Sequence, residues 1–142
     1  MSPTIRRRAR QRGQAFVESA LSLLVFITMM IGVLDLGQMI YFQQSLVERT
    51  RAAARYGSIS PTQTAAIRNV AIYGRPNPPE GAYPVLPGLT QSMVSVETFG
   101  MGTTSPRITI AISGYPINFF TPGIAGAVRA RRISITYPIE TA

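Results

Sequence analysis

The feature that most constrains this sequence is a long uncharged run placed directly behind a basic arm. Residues Ser19–Leu34 are 16 consecutive uncharged and mostly apolar residues. A helix from Arg12 to Asp35 rises roughly 34 Å, close to the roughly 30 Å hydrocarbon core of a bilayer. The sequence therefore predicts a membrane-spanning helix near the N-terminus.

The basic arm predicts the orientation of that helix. A cluster of arginines ahead of an apolar run places the preceding segment in the cytoplasm, and five precede it here: Arg6, Arg7, Arg8, Arg10 and Arg12. We expect a single pass through the cytoplasmic (inner) membrane with an extracytoplasmic C-terminal domain. The alternative is a cleaved secretory signal peptide, which needs a small-residue cleavage site. Residues 31–34 read Ile-Gly-Val-Leu and offer none.

Composition removes several function classes. The 142 residues include no Cys and no His, and all 14 basic residues are arginine. Cys/His zinc sites, Cys–His or Ser–His–Asp nucleophiles and disulfides are therefore excluded. The six acids lie at least 13 residues apart and form no local calcium or magnesium motif. We expect no cofactor and no metal, and an extracytoplasmic enzyme is disfavoured because no catalytic constellation is visible.

The formal net charge of +8 raises nucleic-acid binding as an alternative. Five of the positive charges lie in the N-terminal arm, and the remaining nine arginines and six acids leave only +3. No nucleic-acid-binding motif accompanies this charge. We therefore expect no nucleic-acid partner.

Two acids border or interrupt the apolar stretch. If Asp35 marks the outer membrane boundary, Glu18 lies about 9 Å inside the inner one. A carboxylate at that depth needs a partner or serves a function. In the simplest interpretation Glu18 reaches the cytoplasmic headgroups or pairs with Arg10 or Arg12, whereas Asp35 lies at the outer interface, shortly before the interfacial aromatic Tyr41.

The residues around Glu18 resemble a type IV prepilin processing site. In that family a cut after Gly makes Glu the fifth residue of the mature chain, and here the sequence reads Gly13-Gln14-Ala15-Phe16-Val17-Glu18. Residues 12–57 are more specifically similar to TadE-like proteins of the tight-adherence (Flp) pilus system. That similarity includes Leu34-Asp35-Leu36-Gly37 and Ala52-Ala53-Ala54-Arg55-Tyr56-Gly57, in which Asp35, Gly37, Arg55 and Tyr56 match the family motif.

The resemblance implies a pseudopilin, which is a membrane-anchored structural component of pilus assembly and not an enzyme. A prepilin peptidase would cut between Gly13 and Gln14, and Glu18 would then meet the new α-amine of a neighbouring subunit. The implied partners are the membrane, this peptidase, other pilins or pseudopilins through helix packing, and the inner-membrane assembly platform. The alternative is an uncleaved single-pass scaffold of the same machinery.

Beyond the membrane the helix is expected to continue without a break. No proline occurs between Pro3 and Pro61, so we predict a helix over about residues 14–56, with Gly57 as its stop. Its outer half carries apolar residues at helical spacing, which we expect to pack on the C-terminal domain; they are Met39, Phe42, Leu46, Ala53 and Tyr56.

The rest of the chain predicts one short helix followed by strands. Ser60 and Pro61 would start the helix and Gly74 would end it. Five prolines within residues 74–90 predict an irregular connection. Alternating patterns predict three strands, a hairpin loop over 100–106, and a crossover and turn over 115–128; the strands are Ser92–Phe99, Arg107–Ser113 and Arg132–Tyr137.

Together these patterns predict an α+β, pilin-like fold. A long N-terminal transmembrane helix continues into a small domain with a short helix and a three-stranded antiparallel sheet. The predicted organisation is a basic leader over residues 1–13, the transmembrane and exposed N-terminal helix over 14–57, and a small extracytoplasmic α+β domain over 58–142.

Two features of the crossover each allow two interpretations. The adjacent Phe119 and Phe120 form either a corner of the core or an interaction anchor. The basic cluster is either a solvated turn or a contact with lipid headgroups or an acidic neighbour; it consists of Arg129, Arg131 and Arg132.

Overall fold

The structure, a computed structural model, describes residues 3–121 and 128–140, with side chains from residue 14 onward. Its elements in chain order are α1 (Pro3–Ile59), α2 (Thr64–Tyr73), a 3-10 turn (Gln91–Met93), β1 (Val94–Phe99), β2 (Arg107–Ile112), β3 (Pro116–Ile117), β4 (Val128–Arg129) and β5 (Ile133–Pro138). The predicted fold class is confirmed: a long apolar helix, a short helix and a three-stranded antiparallel sheet.

Helix α1 is longer than predicted at both ends. It begins at Pro3, whose fixed φ suits a first helical turn, and it passes through Gly57 to Ile59 before Pro61 opposes further helix. A Cβ built on Gly57 would lie 2.7 Å from Cδ1 of Ile108. The prediction that Gly57 stops the helix is wrong. Gly57 lies within the helix, and its lack of a side chain leaves room for Ile108 of the sheet.

Helix α2 ends as predicted but starts later. Gly74 adopts a left-handed φ of 73°, and its N–H donates to the Val70 carbonyl, which is a glycine-favoured helix end. At the start, Gln63 rather than Ser60 precedes the helix, and its side chain makes no capping bond. The Gln63 N–H donates to the Ser60 carbonyl at 3.2 Å. Ser60 therefore closes a turn instead of capping the helix.

Strand β2 is the centre of the three-stranded sheet, whose order is β1-β2-β5 with antiparallel neighbours. The hairpin loop predicted over residues 100–106 joins β1 to β2, and the Thr103 N–H donates to the Gly100 carbonyl within it. One end of the register joins Val94, Ile112 and Ile133, and the other end joins Phe99, Arg107 and Pro138.

A second, two-stranded sheet lies where the sequence predicts a crossover. Strands β3 and β4 are antiparallel, with Ile117 opposite Val128, and the Ala130 N–H donates to the Tyr115 carbonyl beside them. A strand of two residues carries too little alternation to be recognised in a sequence. The turn predicted over 123–128 lies outside the described residues except for Val128, which belongs to β4 and not to a turn.

The core lies between the outer half of α1, α2 and one face of the sheet. The predicted apolar stripe on α1 is confirmed, with two buried and three partly buried members: Leu46 and Ala53, then Met39, Phe42 and Tyr56. Strand β2 contributes its alternate residues Ile108, Ile110 and Ile112, which are buried. Thr50 is also buried in α1 and donates its hydroxyl to the Leu46 carbonyl at 2.8 Å, so its polar group is satisfied.

Two contacts show how the domain lies along α1. The Tyr115 ring packs on Phe42 with centroids 5.8 Å apart, and the Glu140 N–H donates to the Ser58 carbonyl at 3.0 Å. The start of β5 therefore lies toward the apolar half of α1, and its end lies toward the C-terminus of α1. We call residues 113–121 and 128–133 the near end of the domain, and residues 97–107 and 136–140 its far end.

Candidate functional site

The inner half of α1 is a bare apolar surface. Every residue from Gln14 to Met30 is exposed, and Phe16 is the most exposed of its large apolar side chains at 76%. Among the described residues, Gln14–Ile59 is the helix that is long and apolar enough to cross a membrane, by length and composition. A helix that is apolar on all sides and not covered by its own domain fits lipid or other apolar helices.

Glu18 lies on this bare surface, one turn after Gln14. Its side chain is exposed, and the neighbouring Ser19 hydroxyl donates to the Ala15 carbonyl at 2.9 Å. Helix α1 runs through both residues of the predicted processing site without interruption. The side chains of Arg6, Arg7, Arg8, Arg10 and Arg12 lie outside the described part of the chain, so a pairing of Glu18 with this arm stays a prediction.

Asp35 is bound by a loop that lies 85 residues further along the chain. Only 7% of Asp35 is exposed. Its Oδ1 accepts a hydrogen bond from the Phe120 N–H at 2.6 Å, and its Oδ2 accepts one from the Thr121 N–H at 3.2 Å. The Thr121 hydroxyl also donates to Oδ2. We call this arrangement the Asp35 clamp.

The Asp35 clamp attaches the near end of the domain to α1. A carboxylate that accepts bonds from two consecutive backbone N–H groups and a hydroxyl fixes both the position and the orientation of their loop. The sequence predicts Asp35 at the outer membrane boundary but does not predict these partners within the chain. All three of these bonds go to the chain's own groups, so the arrangement suits attachment rather than catalysis.

A cleft of about 550 Å³ lies beside the clamp. Helix α1 forms one wall and the Phe119 loop with β4 forms the other; its lining residues other than Asp35 are Met29, Gly32, Val33, Leu36, Met39, Phe119 and Val128. Phe119 is partly buried against the core, whereas Phe120 is 62% exposed. The phenylalanine pair thus divides into one corner of the core and one side chain that points away from it.

The other family-motif residues do not join the clamp. Gly37 is exposed, with nothing within 4 Å of a Cβ built on it. The Tyr56 hydroxyl donates to Oε1 of Gln63 at 3.0 Å, and the Arg55 carbonyl accepts a bond from the Ser58 hydroxyl. Arg55 and Tyr56 lie about 30 Å from Asp35 along the helix. They belong to the end of α1 and its connection to α2.

The donors at positions 120 and 121 are the part of this site that sequence reasoning missed. An acid next to an apolar stretch needs a partner, and that rule applies to Asp35 as well as to Glu18. The rule identifies the acceptor but not the donors, because two of the three are backbone N–H groups, which nearly every residue carries.

Tyr115 joins the near end to the proline-rich connection. Burial raises the pKa of Tyr115 above its ordinary value, so the phenol stays protonated and donates to the Pro87 carbonyl at 2.9 Å.

Over residues 14–121 and 128–140, no three His, Cys, Asp or Glu side chains come together as metal ligands.

The fold and these surfaces define a class of protein. A small α+β domain is carried on a long helix whose inner half is uncovered and apolar, an arrangement that suits a membrane-anchored protein. The family model described as TadE-like protein matches residues 13–55. This match shows that residues 13–55 are similar to TadE-like proteins, and it confirms the resemblance seen in the sequence.

TadE-like proteins are structural components of the Tad/Flp pilus system, and the match over this segment supports an association with pilus assembly. The matched segment lies entirely within α1 and contains Glu18, Asp35 and Arg55. No curated protein and no solved structure shows a significant match to the chain.

Proposed function

We propose that this protein is a minor pilin or pseudopilin, a membrane-anchored structural component of tight-adherence (Flp-type) pilus assembly. Helix α1 spans the inner membrane with its N-terminus in the cytoplasm, and the C-terminal domain is extracytoplasmic. A prepilin peptidase removes the basic leader by cutting between Gly13 and Gln14. The mature protein then joins other pilins or pseudopilins and enters extracellular pili.

The observation that carries the proposal is the coincidence of the TadE-like match with an uncovered apolar helix. The match begins at Gly13, the residue before the predicted cut, and ends four residues before α1 does. The bare inner half offers a surface for the membrane before assembly and for neighbouring helices after it. The same apolar surface supports packing against both.

Glu18 is the assembly residue in this proposal. A carboxylate in an apolar environment is costly without a partner and tolerable with one. Cleavage creates an α-amine at Gln14, one helical turn from Glu18. The amine of one subunit and the Glu18 carboxylate of its neighbour then form a pair that sets the axial register between subunits.

The second candidate is an uncleaved scaffold at the inner-membrane assembly platform. One specific observation favours it: α1 begins at Pro3 and continues through Gly13 and Gln14 as regular helix. A helix that retains its leader would keep the arginines on the cytoplasmic side. In that case Glu18 pairs within the chain or reaches the headgroups, and no subunit amine is available to it.

The test is the N-terminus of the protein from native membranes and sheared surface filaments, measured by mass spectrometry. A chain that starts at Gln14 supports the pseudopilin, and an intact leader in both fractions supports the scaffold and overturns the proposal. Gly13→Leu should block the cut, whereas Gly37→Leu, at an open position of the same helix, should leave it unchanged. Glu18→Gln should be cut normally but should be depleted from the filament fraction.

A further inference from the structure

The near end of the domain lies beside the position on α1 where the bare apolar surface ends. About 20 helical residues cross a hydrocarbon core, so a span that starts near Gln14 ends close to Asp35. The Asp35 clamp holds Phe120 and Thr121 at the same level. If α1 spans the membrane, this loop lies at the membrane surface on the domain's side.

The cleft beside the clamp reaches below that level. Met29 in its wall precedes Asp35 by six residues and therefore lies about 9 Å deeper along the helix. Apart from Asp35 its lining is apolar. The exposed Phe120 directly follows Phe119, which is one of the lining residues. At this depth a bilayer presents acyl chains and headgroup boundary rather than bulk water.

Positive charge gathers at the same end of the domain. Between Glu97 and Glu140 the sequence contains four arginines and no acid. Three of the four belong to the near end and are exposed; they are Arg129, Arg131 and Arg132. Guanidinium groups close to a membrane bind the phosphates of lipids.

We infer that the near end is a lipid-binding surface. Phe120 and the cleft contact acyl chains of the facing leaflet, and Arg131 and Arg132 bind the phosphates of anionic phospholipids. This inference rests on the proposed membrane-spanning role of α1 and goes beyond it. The domain itself is then held at a fixed depth on the membrane. Helix α1 and the near end both attach it there, and the Asp35 clamp joins the two.

Tryptophan fluorescence tests the acyl-chain contact, since the chain contains no native Trp. Full-length Phe120→Trp is reconstituted in vesicles of equal parts phosphatidylcholine and phosphatidylglycerol, with and without nitroxide-labelled lipid. The matched control is Phe99→Trp, because Phe99 is similarly exposed, at 55%, but lies at the far end. We expect a blue-shifted emission for Phe120→Trp and quenching several-fold stronger than for Phe99→Trp.

Each outcome of this experiment separates the inference from the function on which it rests. Equal, water-like emission from both variants in protein that resists alkaline carbonate extraction overturns the lipid contact and leaves the anchor intact. A shielded tryptophan in Phe120→Trp that lipid labels do not quench indicates a protein cover and also overturns the inference. Release of the wild-type protein by carbonate overturns the membrane anchor itself.

The phosphate contact has its own readout. An arginine close to an anionic surface contributes about 1 kcal/mol, which converts to about fivefold in binding. The double variant Arg131→Gln/Arg132→Gln should therefore retain several-fold less phosphatidylglycerol, relative to phosphatidylcholine, when extracted in nanodiscs and measured by mass spectrometry. Arg107→Gln at the far end is the control. An unchanged lipid ratio in the double variant overturns the charge contact.

Discussion

Helix α1 is one continuous helix whose two halves meet different surroundings. From Gln14 to Met30 every residue is exposed, whereas Leu46, Ala53 and Gly57 in the outer half are buried under the domain. The inner half is apolar on every side, so no face is selected for its own domain. The outer half alternates apolar residues with arginines, and this alternation selects the face that packs.

The comparison predicts that equal substitutions have unequal effects in the two halves. In the inner half, the membrane or other subunits remove the apolar side chains from water. Truncating these side chains should therefore leave the folding of the domain unchanged. In the outer half the same side chains fill a packed core, where cavities are costly. The following predictions test this difference in order of expected size.

The largest effect is expected for Leu46→Ala against Leu23→Ala. Leu46 is 1% exposed and Leu23 is 57% exposed. Leu46→Ala should lower the free energy of unfolding of the domain by about 2–5 kcal/mol, because it leaves a cavity between α1 and the sheet. Urea unfolding in detergent, followed by the near-ultraviolet dichroism of the tyrosines, measures it. Equal loss in both variants would contradict the division of α1 into two halves.

The Asp35 clamp lies at the junction of the two halves, and Asp35→Ala should release the near end locally. The Phe120 and Thr121 N–H groups lose their acceptor, so their hydrogen exchange should accelerate on the order of tenfold, the size expected for lost bonds to a charged group. The amides of β2 should remain protected because the core is unchanged. Uniform acceleration across β2 would show instead that the clamp is part of the global fold.

Asp35→Asn is the informative companion of that variant. The amide keeps the size of the side chain and one carbonyl acceptor, but its NH₂ group cannot accept the bonds now made to Oδ2. Exchange at position 121 should therefore accelerate more than exchange at position 120, provided the remaining oxygen faces the Phe120 N–H. If neither amide changes, the two N–H groups do not depend on the carboxylate.

The clamp also shows which parts of this protein a sequence can predict. Helix α1, the apolar stripe around Leu46 and the alternating β2 follow from local periodicity, and all three are confirmed. Asp35 and Thr121 are 86 residues apart, and no periodic pattern links them. Strands β3 and β4 are missed for the related reason that two residues give no period, so their pairing depends on the surrounding fold.

Gly57→Ala against Gly37→Ala compares a covered and an uncovered position of α1 at a smaller scale. Both changes add a methyl group and favour the helix by roughly 1 kcal/mol. At Gly57 the new Cβ would lie 2.7 Å from the buried Ile108 side chain, whereas at Gly37 it would contact nothing within 4 Å. Overpacking costs about 1–3 kcal/mol, so Gly57→Ala should be neutral to destabilising by about 2 kcal/mol.

Gly37→Ala is expected to leave the unfolding of the domain unchanged, or to raise its free energy slightly. The same urea unfolding experiment compares the two variants directly. A stabilised Gly57→Ala would mean that Ile108 moves aside without cost. In that case Gly57 would be explained by neither helix termination nor close packing.

The smallest effect is expected for two threonines that make the same bond in the two halves. The Thr28 hydroxyl donates to the Leu24 carbonyl and the Thr50 hydroxyl donates to the Leu46 carbonyl, each at 2.8 Å. Valine has nearly the same shape and removes only the hydroxyl. The carbonyl that loses this bond keeps its regular helical partner, so no buried group is left without one.

Thr50→Val should therefore change the free energy of unfolding by less than about 1 kcal/mol, although Thr50 is completely buried. Thr28→Val should leave the unfolding of the domain unchanged, because Thr28 lies outside it. The contrast with Leu46→Ala separates loss of volume from loss of a polar group at neighbouring positions of one helix. A loss above about 2 kcal/mol for Thr50→Val would mean that the hydroxyl bonds a second group across the core. The stability of the outer half would then depend on that bond as well as on packing.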